Sequence, residues 1–150
     1  MASSVPRKSL SVFHVNDSTD DQVLFQMAAK AADVPFAWQV ADSAEKAIAY
    51  FESLLSLSET EAVAWPDLVV LDIVMPREAG FKVLEYIKTQ AKLKRLPVVI
   101  FTGQHSQQVR DEAYALGANS FMLKPQDMAQ TVALVSSLYS AWSSAERPTL

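Results

Sequence analysis

The chain has 150 residues, a net charge of -4, half of its residues hydrophobic and no cysteine. That size fits one domain with one core, and the missing cysteines exclude a disulfide framework and a thiolate metal site. A weakly acidic chain has no electrostatic reason to bind nucleic acid or an anionic membrane. With no signal-like run in Met1 to Leu10 and no stretch near the roughly 20 apolar residues of a span, a soluble cytoplasmic protein is expected.

A short apolar run followed by a longer stretch of helical period recurs five times. The first run, Leu10 to Val15, ends in the polar cluster Asn16-Asp17-Ser18-Thr19-Asp20-Asp21, a turn and helix-start signal. The helix after it should reach about Ala32 and bury Val23, Leu24, Met27 and Ala31. Pro35 opens the second run, Phe36 to Val40. Asp42 with Glu45 three residues on reads as a capping box, and a helix carrying Ala44, Ala47, Ile48, Phe51, Leu54 and Leu55 follows. Leu57 to Trp65 reads as a frayed end and a loop.

Pro66 opens the strongest run, Asp67 to Ile73. Almost unbroken Val, Leu and Ile is how a parallel strand covered on both faces reads. Pro76 and Gly80 bracket a loop, and the next helix carries Phe81, Val83, Leu84, Ile87 and Ala91. The basic run Lys88, Lys92, Lys94 and Arg95 reads as a solvated helix end. Pro97 opens the fourth run, Val98 to Phe101, closed by Thr102-Gly103. A helix with Val109, Ala113 and Leu116 stops at Gly117, the expected left-handed residue after a helix. The fifth run, Ser120 to Leu123, is closed by Lys124-Pro125, and the last helix spans about Asp127 to Ser143. Five β-α units of this length imply an α/β fold, an open parallel five-stranded sheet with helices on both faces. A closed eight-stranded barrel would need about 250 residues.

In such a sheet, ligands bind beyond the carboxyl ends of the strands. The first strand ends there in Asn16 and Asp17, the third in Asp72, the fourth in Thr102 and the fifth in Lys124. Two carboxylates with backbone carbonyls make a hard-oxygen site that suits Mg²⁺ rather than zinc. A carboxylate also serves as a nucleophile that forms an acyl phosphate. A lysine and a threonine hydroxyl would hold the remaining phosphoryl oxygens.

With these residues in this order, the sequence resembles the response-regulator receiver family over about Leu10 to Trp142. The phospho-acceptor motif is matched by Leu71-Asp72-Ile73-Val74-Met75-Pro76, with Gly80 four residues after the proline. The resemblance implies a doubly wound (βα)5 sheet in the flavodoxin-like order 2-1-3-4-5. It implies a single receiver domain with its core at about residues 10–143 and flexible termini at 1–8 and 144–150. Asp72 is then the acceptor, Thr102 the switch hydroxyl, Lys124 the family's lysine and Phe121 the aromatic that rotates on activation. The Mg²⁺ ligands would be Asp17, Asp72 and the Val74 backbone carbonyl, with Asn16 acting through a water. Lys124-Pro125 is expected to be cis. The segment between the second helix and third strand, the early Asp17-Ser18-Thr19-Asp20-Asp21 and the late Trp142 resemble the single-domain regulators that partner phytochrome-type histidine kinases.

The function implied is acceptance of a phosphoryl group from a histidine kinase in a two-component phosphorelay. Catalysis would extend no further than self-phosphorylation and autodephosphorylation. The sequence departs from the family at Asn16, where an acid is usual; at Gly103, where a bulkier small residue is common; and at Phe121, where tyrosine is frequent. Asn16 favours the alternative of a degenerate receiver, a phosphorylation-independent binding adaptor. An FMN carrier would need a glycine-containing phosphate loop after the first strand, and a dehalogenase-type phosphatase carries its nucleophile after the first strand, not the third. The chain stops soon after the fifth helix, so output is expected through protein contact at the helix 4–strand 5–helix 5 face. The last helix carries two apolar stripes: Met128, Val132, Val135, Tyr139 and Trp142, and then Leu134 and Leu138. The second is expected to meet a partner, such as the same helix of another subunit.

Overall fold

Each apolar run becomes a strand and each periodic stretch a helix in the computed structural model, which describes residues 8–73, 79–103 and 106–143. In chain order these are β1 (Leu10–Val15), α1 (Thr19–Ala31), β2 (Phe36–Ala41), α2 (Ala44–Leu57), β3 (Leu68–Asp72), α3 (Ala79–Thr89), β4 (Val98–Thr102), α4 (Gln107–Ala115), β5 (Ser120–Leu123) and α5 (Met128–Ser143). The strands are parallel and ordered β2-β1-β3-β4-β5, as expected. No helix among the described residues is long and apolar enough to cross a membrane.

Every residue of β3 and β4 is buried, because side chains alternate between two covered faces. Leu68, Val70, Val99 and Phe101 meet Phe25 and Ala28 of α1 and Val135, Leu138 and Tyr139 of α5. Val69, Leu71, Val98 and Ile100 meet Phe51 of α2, Leu84 and Ile87 of α3 and Ala113 of α4. Gly117 has φ 106°, the left-handed conformation expected where α4 stops. The expectation of flexible termini falls, Lys8 aside, outside the described residues; the Lys8 carbonyl accepts a hydrogen bond from the Tyr139 hydroxyl.

Several local expectations need correction. Helix α1 buries Phe25, Ala28 and Ala29, whereas Val23 and Met27 are exposed. The Phe25 ring packs edge-on against His14 and near Phe101, at centroid distances of 4.9 and 5.6 Å. The two alanines let the helix approach closely, so one large ring and two small residues outweigh the wider apolar stripe. Helix α2 is capped by Ser43, whose hydroxyl accepts from the Lys46 N–H, while Asp42 pairs with the Lys46 ammonium at 3.0 Å. Extended backbone at Ser43 (φ -153°) places its hydroxyl over the first turn.

Lys88 is no solvated charge. Its ammonium donates to the carbonyls of Lys94 and Leu96 and to Asn119 Oδ1, at 3.2, 2.7 and 3.1 Å, tying α3 to the turns that open β4 and β5. The second stripe of α5 is already used: Leu138 is buried and Leu134 packs half-buried against the core. Helix α5 rests on α1 as well as on the sheet, and two contact directions consume two stripes. The dimer expected from a spare stripe loses that basis. The Lys124–Pro125 bond is trans, since the described residues contain no cis peptide. That is the isomer an X–Pro bond favours by about 0.5–1 kcal/mol.

Candidate functional site

Four strand ends meet at the carboxyl edge of the sheet. Parallel pairing sets β1 beside β3, β3 beside β4 and β4 beside β5, with Asp72 opposite Phe101 and Thr102 opposite Leu123. The Ile73 N–H donates to the Phe101 carbonyl at 3.0 Å, and the Lys124 N–H donates to the Thr102 carbonyl at 2.8 Å. These bonds carry the ladders one residue past the strands and fix the backbone on both sides of Asp72.

The Asp72 side chain is only 2% exposed, and its Oδ2 accepts from the Lys124 ammonium at 2.8 Å. The same ammonium lies 3.2 Å from Asp21 Oδ2 on α1. Burial alone would lower the Lys124 pKa, but the hydrogen bonds and charges of Asp72, and then of Asp21, outweigh it and hold it above its ordinary value. Thr102 is buried one strand away. Phe121 is half-buried against the α4 side of the core, its ring centroid 6.5 Å from that of Tyr114.

The turn after β1 is built on Asn16, which is buried. Its Oδ1 accepts from the Ser18 N–H at 2.8 Å, and its carbonyl accepts from Gln22 Nε2 at 2.7 Å. Its Nδ2 donates to Asp21 Oδ2 at 3.3 Å, a bond that a carboxylate at this position could not make. Ser18 caps α1 by accepting from the Asp21 N–H. Asp17 is exposed on this turn, and the carboxylate that reaches Lys124 from here belongs to Asp21. The Val74 carbonyl lies outside the described residues, as do Met75 and Pro76.

Two further residues have contacts at the site that the sequence alone does not show. Asp21 reads in sequence as one more turn former; its place three residues after the cap Ser18 is the signal that points it back over the turn. Gly80 reads as loop punctuation but lies in the first turn of α3, pressed against β3. A carbon in place of its side-chain hydrogen would sit 2.6 Å from the Asp72 carbonyl oxygen and 2.7 Å from Ile73 Cα. Gly103, by contrast, has open space around it, so the bulkier residue common there would fit. Among the described residues no three carboxylate, imidazole or thiol groups gather where they would hold a metal; the carboxylates that share Lys124 are two.

Beneath this edge, His14 is buried beside Phe25 and Trp38, and its Nδ1 has no hydrogen-bond partner. Burial lowers its pKa to about 4, with Asp21 opposing and Lys124 adding to the shift. Unfolded, the imidazole titrates near 6.5. Between about 4 and 6.5 the unfolded chain binds the extra proton, so stability rises with pH through that window and levels off above it. From pH 7 to pH 5 this group alone should cost about 2 kcal/mol, and the His14→Leu variant should lack that component. Urea unfolding at both pH values checks this; equal losses in the two proteins would show that His14 does not titrate in this way.

At this edge a buried strand-end aspartate faces a lysine from the second strand along, with a buried threonine on the strand between them. The family described as "Response regulator receiver domain" matches residues 17–136. Response regulator Rcp1 of Synechocystis sp. is 28% identical over 128 residues, covering 85% of each chain. Two-component response regulator ORR1 of Oryza sativa is 29% identical over 116 residues, covering 76% of this chain and 48% of that one. Among solved structures, the phosphorylated cyanobacterial phytochrome response regulator RcpA superposes with a TM-score of 0.80 at 27% identity, covering 95% of this chain and 100% of that one. The regulator RPA3017 of red light signalling in R. palustris, at 24% identity and a TM-score of 0.82 over 94% and 99% of the two chains, shares the fold. By its fold, the edge at which Asp72 and Lys124 meet and these matches, the chain belongs to the response-regulator receiver family.

Proposed function

We propose that the protein is a receiver that takes a phosphoryl group on Asp72 from a histidine kinase, with Mg²⁺, and signals by a change of shape. The single observation that carries this reading is the 2.8 Å pair between Lys124 and buried Asp72 at the carboxyl edge of the sheet. A carboxylate oxygen of Asp72 attacks phosphorus, the bond from phosphorus to the kinase imidazole breaks, and the imidazole leaves with the bonding pair. Lys124 stays protonated at neutral pH and meets the phosphoryl oxygens as an ammonium, with the Thr102 hydroxyl on the neighbouring strand as a second donor.

Two nearby carboxylates fit a cation that uses one or two carboxylates and fills its other places with waters and phosphoryl oxygens, which is the habit of Mg²⁺. Asp72 would hold it, with Asp17, the Val74 carbonyl and a water on Asn16 as the other ligands. When bound, it would neutralise charge on the transferred group. A Mn²⁺-bound form of Rcp1 and the phosphorylated RcpA are in keeping with this chemistry. The phytochrome response regulator RcpA favours a phytochrome-type kinase as the partner; a cytoplasmic place beside that kinase is part of the same reading.

Phosphorylation adds a charge of about -1.5 to -2. Drawn to it, Thr102 leaves space on the α4 side that half-buried Phe121 fills, and a local packing change becomes a two-state signal. The face that would report it already carries exposed apolar side chains from each element: Tyr114 of α4, Leu123 of β5 and Met128 of α5. The test is incubation with Mg²⁺ and a small-molecule phosphodonor, read by intact mass. The expected result is a gain of one phosphoryl group that Asp72→Asn abolishes. No gain at saturating Mg²⁺ would favour the adaptor reading that the neutral Asn16 suggests.

A further inference from the structure

Receiver chemistry at Asp72 as described above uses Thr102 and Lys124, yet the Lys124 ammonium is shared with a second carboxylate, on α1. We propose that Asp21 is a positioning residue of the phosphoryl-transfer site, supplying from the first turn of α1 the negative charge that Asn16 lacks and holding Lys124 between itself and Asp72. This rests on the reading of Asp72 as the acceptor and adds to it a residue that sits five positions beyond Asn16.

Three observations support it. Asn16 is buried at the strand end and brings no charge. Its Nδ2 donates to the same oxygen, Asp21 Oδ2, that takes the Lys124 ion pair, so amide and carboxylate stand as a complementary pair within one hydrogen bond. A carboxylate at position 16 would instead face Asp21 with like charge. Finally, the position of Asp21 is fixed: Ser18 Oγ accepts from its N–H, and Gln22 beside it holds the Asn16 carbonyl. Asp20 and Asp17, its neighbours in sequence, are exposed. The negative charge has thus moved from the strand to the helix while remaining at the site.

A consequence follows for the switch. Phosphoryl oxygens on Asp72 compete for the ammonium that now bridges two carboxylates. As Lys124 turns toward them, Asp21 gives up an ion pair, and the negative field that it lends the site at rest becomes stronger. The first turn of α1 then responds to phosphorylation together with β4 and β5. Asp21 acts through Lys124 and the local field, without touching the reacting atoms.

The test uses the full chain, with Mn²⁺ as the probe, its free ion measured by electron paramagnetic resonance, and phosphoryl gain read separately by intact mass. Asp21→Asn should weaken Mn²⁺ binding about tenfold, the scale seen for groups that support a metal site from outside its ligand shell. Asp20→Asn, one residue away with the same charge change, should leave it unchanged. The exchange variant Asn16→Asp with Asp21→Asn puts the carboxylate back on the strand and the amide on the helix, and should restore binding. The proposal is overturned if Asp21→Asn binds like the unaltered protein, if Asp20→Asn is equally weakened, if the exchange variant fails to recover, or if the unaltered protein binds no Mn²⁺. Should the order of affinities hold while the unaltered protein takes no phosphoryl group, Asp21 keeps its role and the acceptor reading is what fails.

Discussion

Replacing Lys124 with methionine should cost about 3 kcal/mol of stability, the low end for breaking a buried ion pair, because the ammonium is still partly in water. The cost arises at Asp72. Its side chain is 2% exposed, and without the ammonium a charge remains in a low-dielectric site that was built around a cation. Methionine keeps most of the apolar stem, so lost packing adds little. The pH dependence separates charge from packing. The folded-state pKa of Lys124 is raised above the ordinary 10.5, so its contribution is fully present below about 10.5 and fades as pH rises through the raised value. The gap between the unaltered protein and Lys124→Met should therefore be constant near neutrality and shrink in strong base. A gap that persists unchanged there would assign the loss to packing.

Gly80→Ala should be the most damaging small substitution near the site. Propensity alone argues the other way, since alanine inside a helix is favoured over glycine by about 0.5–1 kcal/mol. Geometry decides against it. The added carbon would lie 2.6 Å from the Asp72 carbonyl oxygen and 2.7 Å from Ile73 Cα. Both are backbone atoms, which cannot turn aside as a flexible side chain would. Either α3 or the end of β3 must move, and overpacking of this kind costs about 1–3 kcal/mol or more. A net loss of about 2 kcal/mol in urea unfolding is expected, with slower phosphoryl gain because the displaced carbonyl belongs to the acceptor itself. Gly103→Ala is the contrast. With nothing within 4 Å of its added carbon, it should leave stability almost unchanged. Gly80→Ala proving stabilising would show that the close approach relaxes freely.

Patterns fixed by the local chain were legible. The almost unbroken apolar run within Asp67 to Ile73 announces a strand covered on both faces, found at Leu68–Asp72, and Gly117 announces a left-handed helix stop. Parallel connectivity then brought Asp72, Thr102 and Lys124 to one edge, because each closes a strand. Features set by the approach of distant segments were not legible. The rotation of α1 about its axis depends on Phe25 finding His14 and Phe101, so Val23 and Met27 were assigned to the wrong side. Gly80 is needed for a helix pressed on β3 rather than for a turn. Lys88 reads as solvated in sequence, yet the loop before β4 folds two carbonyls over it and Asn119 adds its side-chain oxygen. Asp21 is hidden in a polar cluster; its spacing from Ser18 points it over the turn but does not tell that Lys124, 103 residues away, meets it.

The most direct test of the account is to trap the acyl phosphate where it forms. The protein is phosphorylated with a small-molecule donor and Mg²⁺, then reduced with borohydride, which converts an aspartyl phosphate to homoserine, and the peptides are sequenced by mass spectrometry. The account predicts homoserine at position 72 and nowhere else, with none when the donor is omitted. Homoserine at Asp17 or Asp21, or none at all under conditions that load a known receiver, would contradict it.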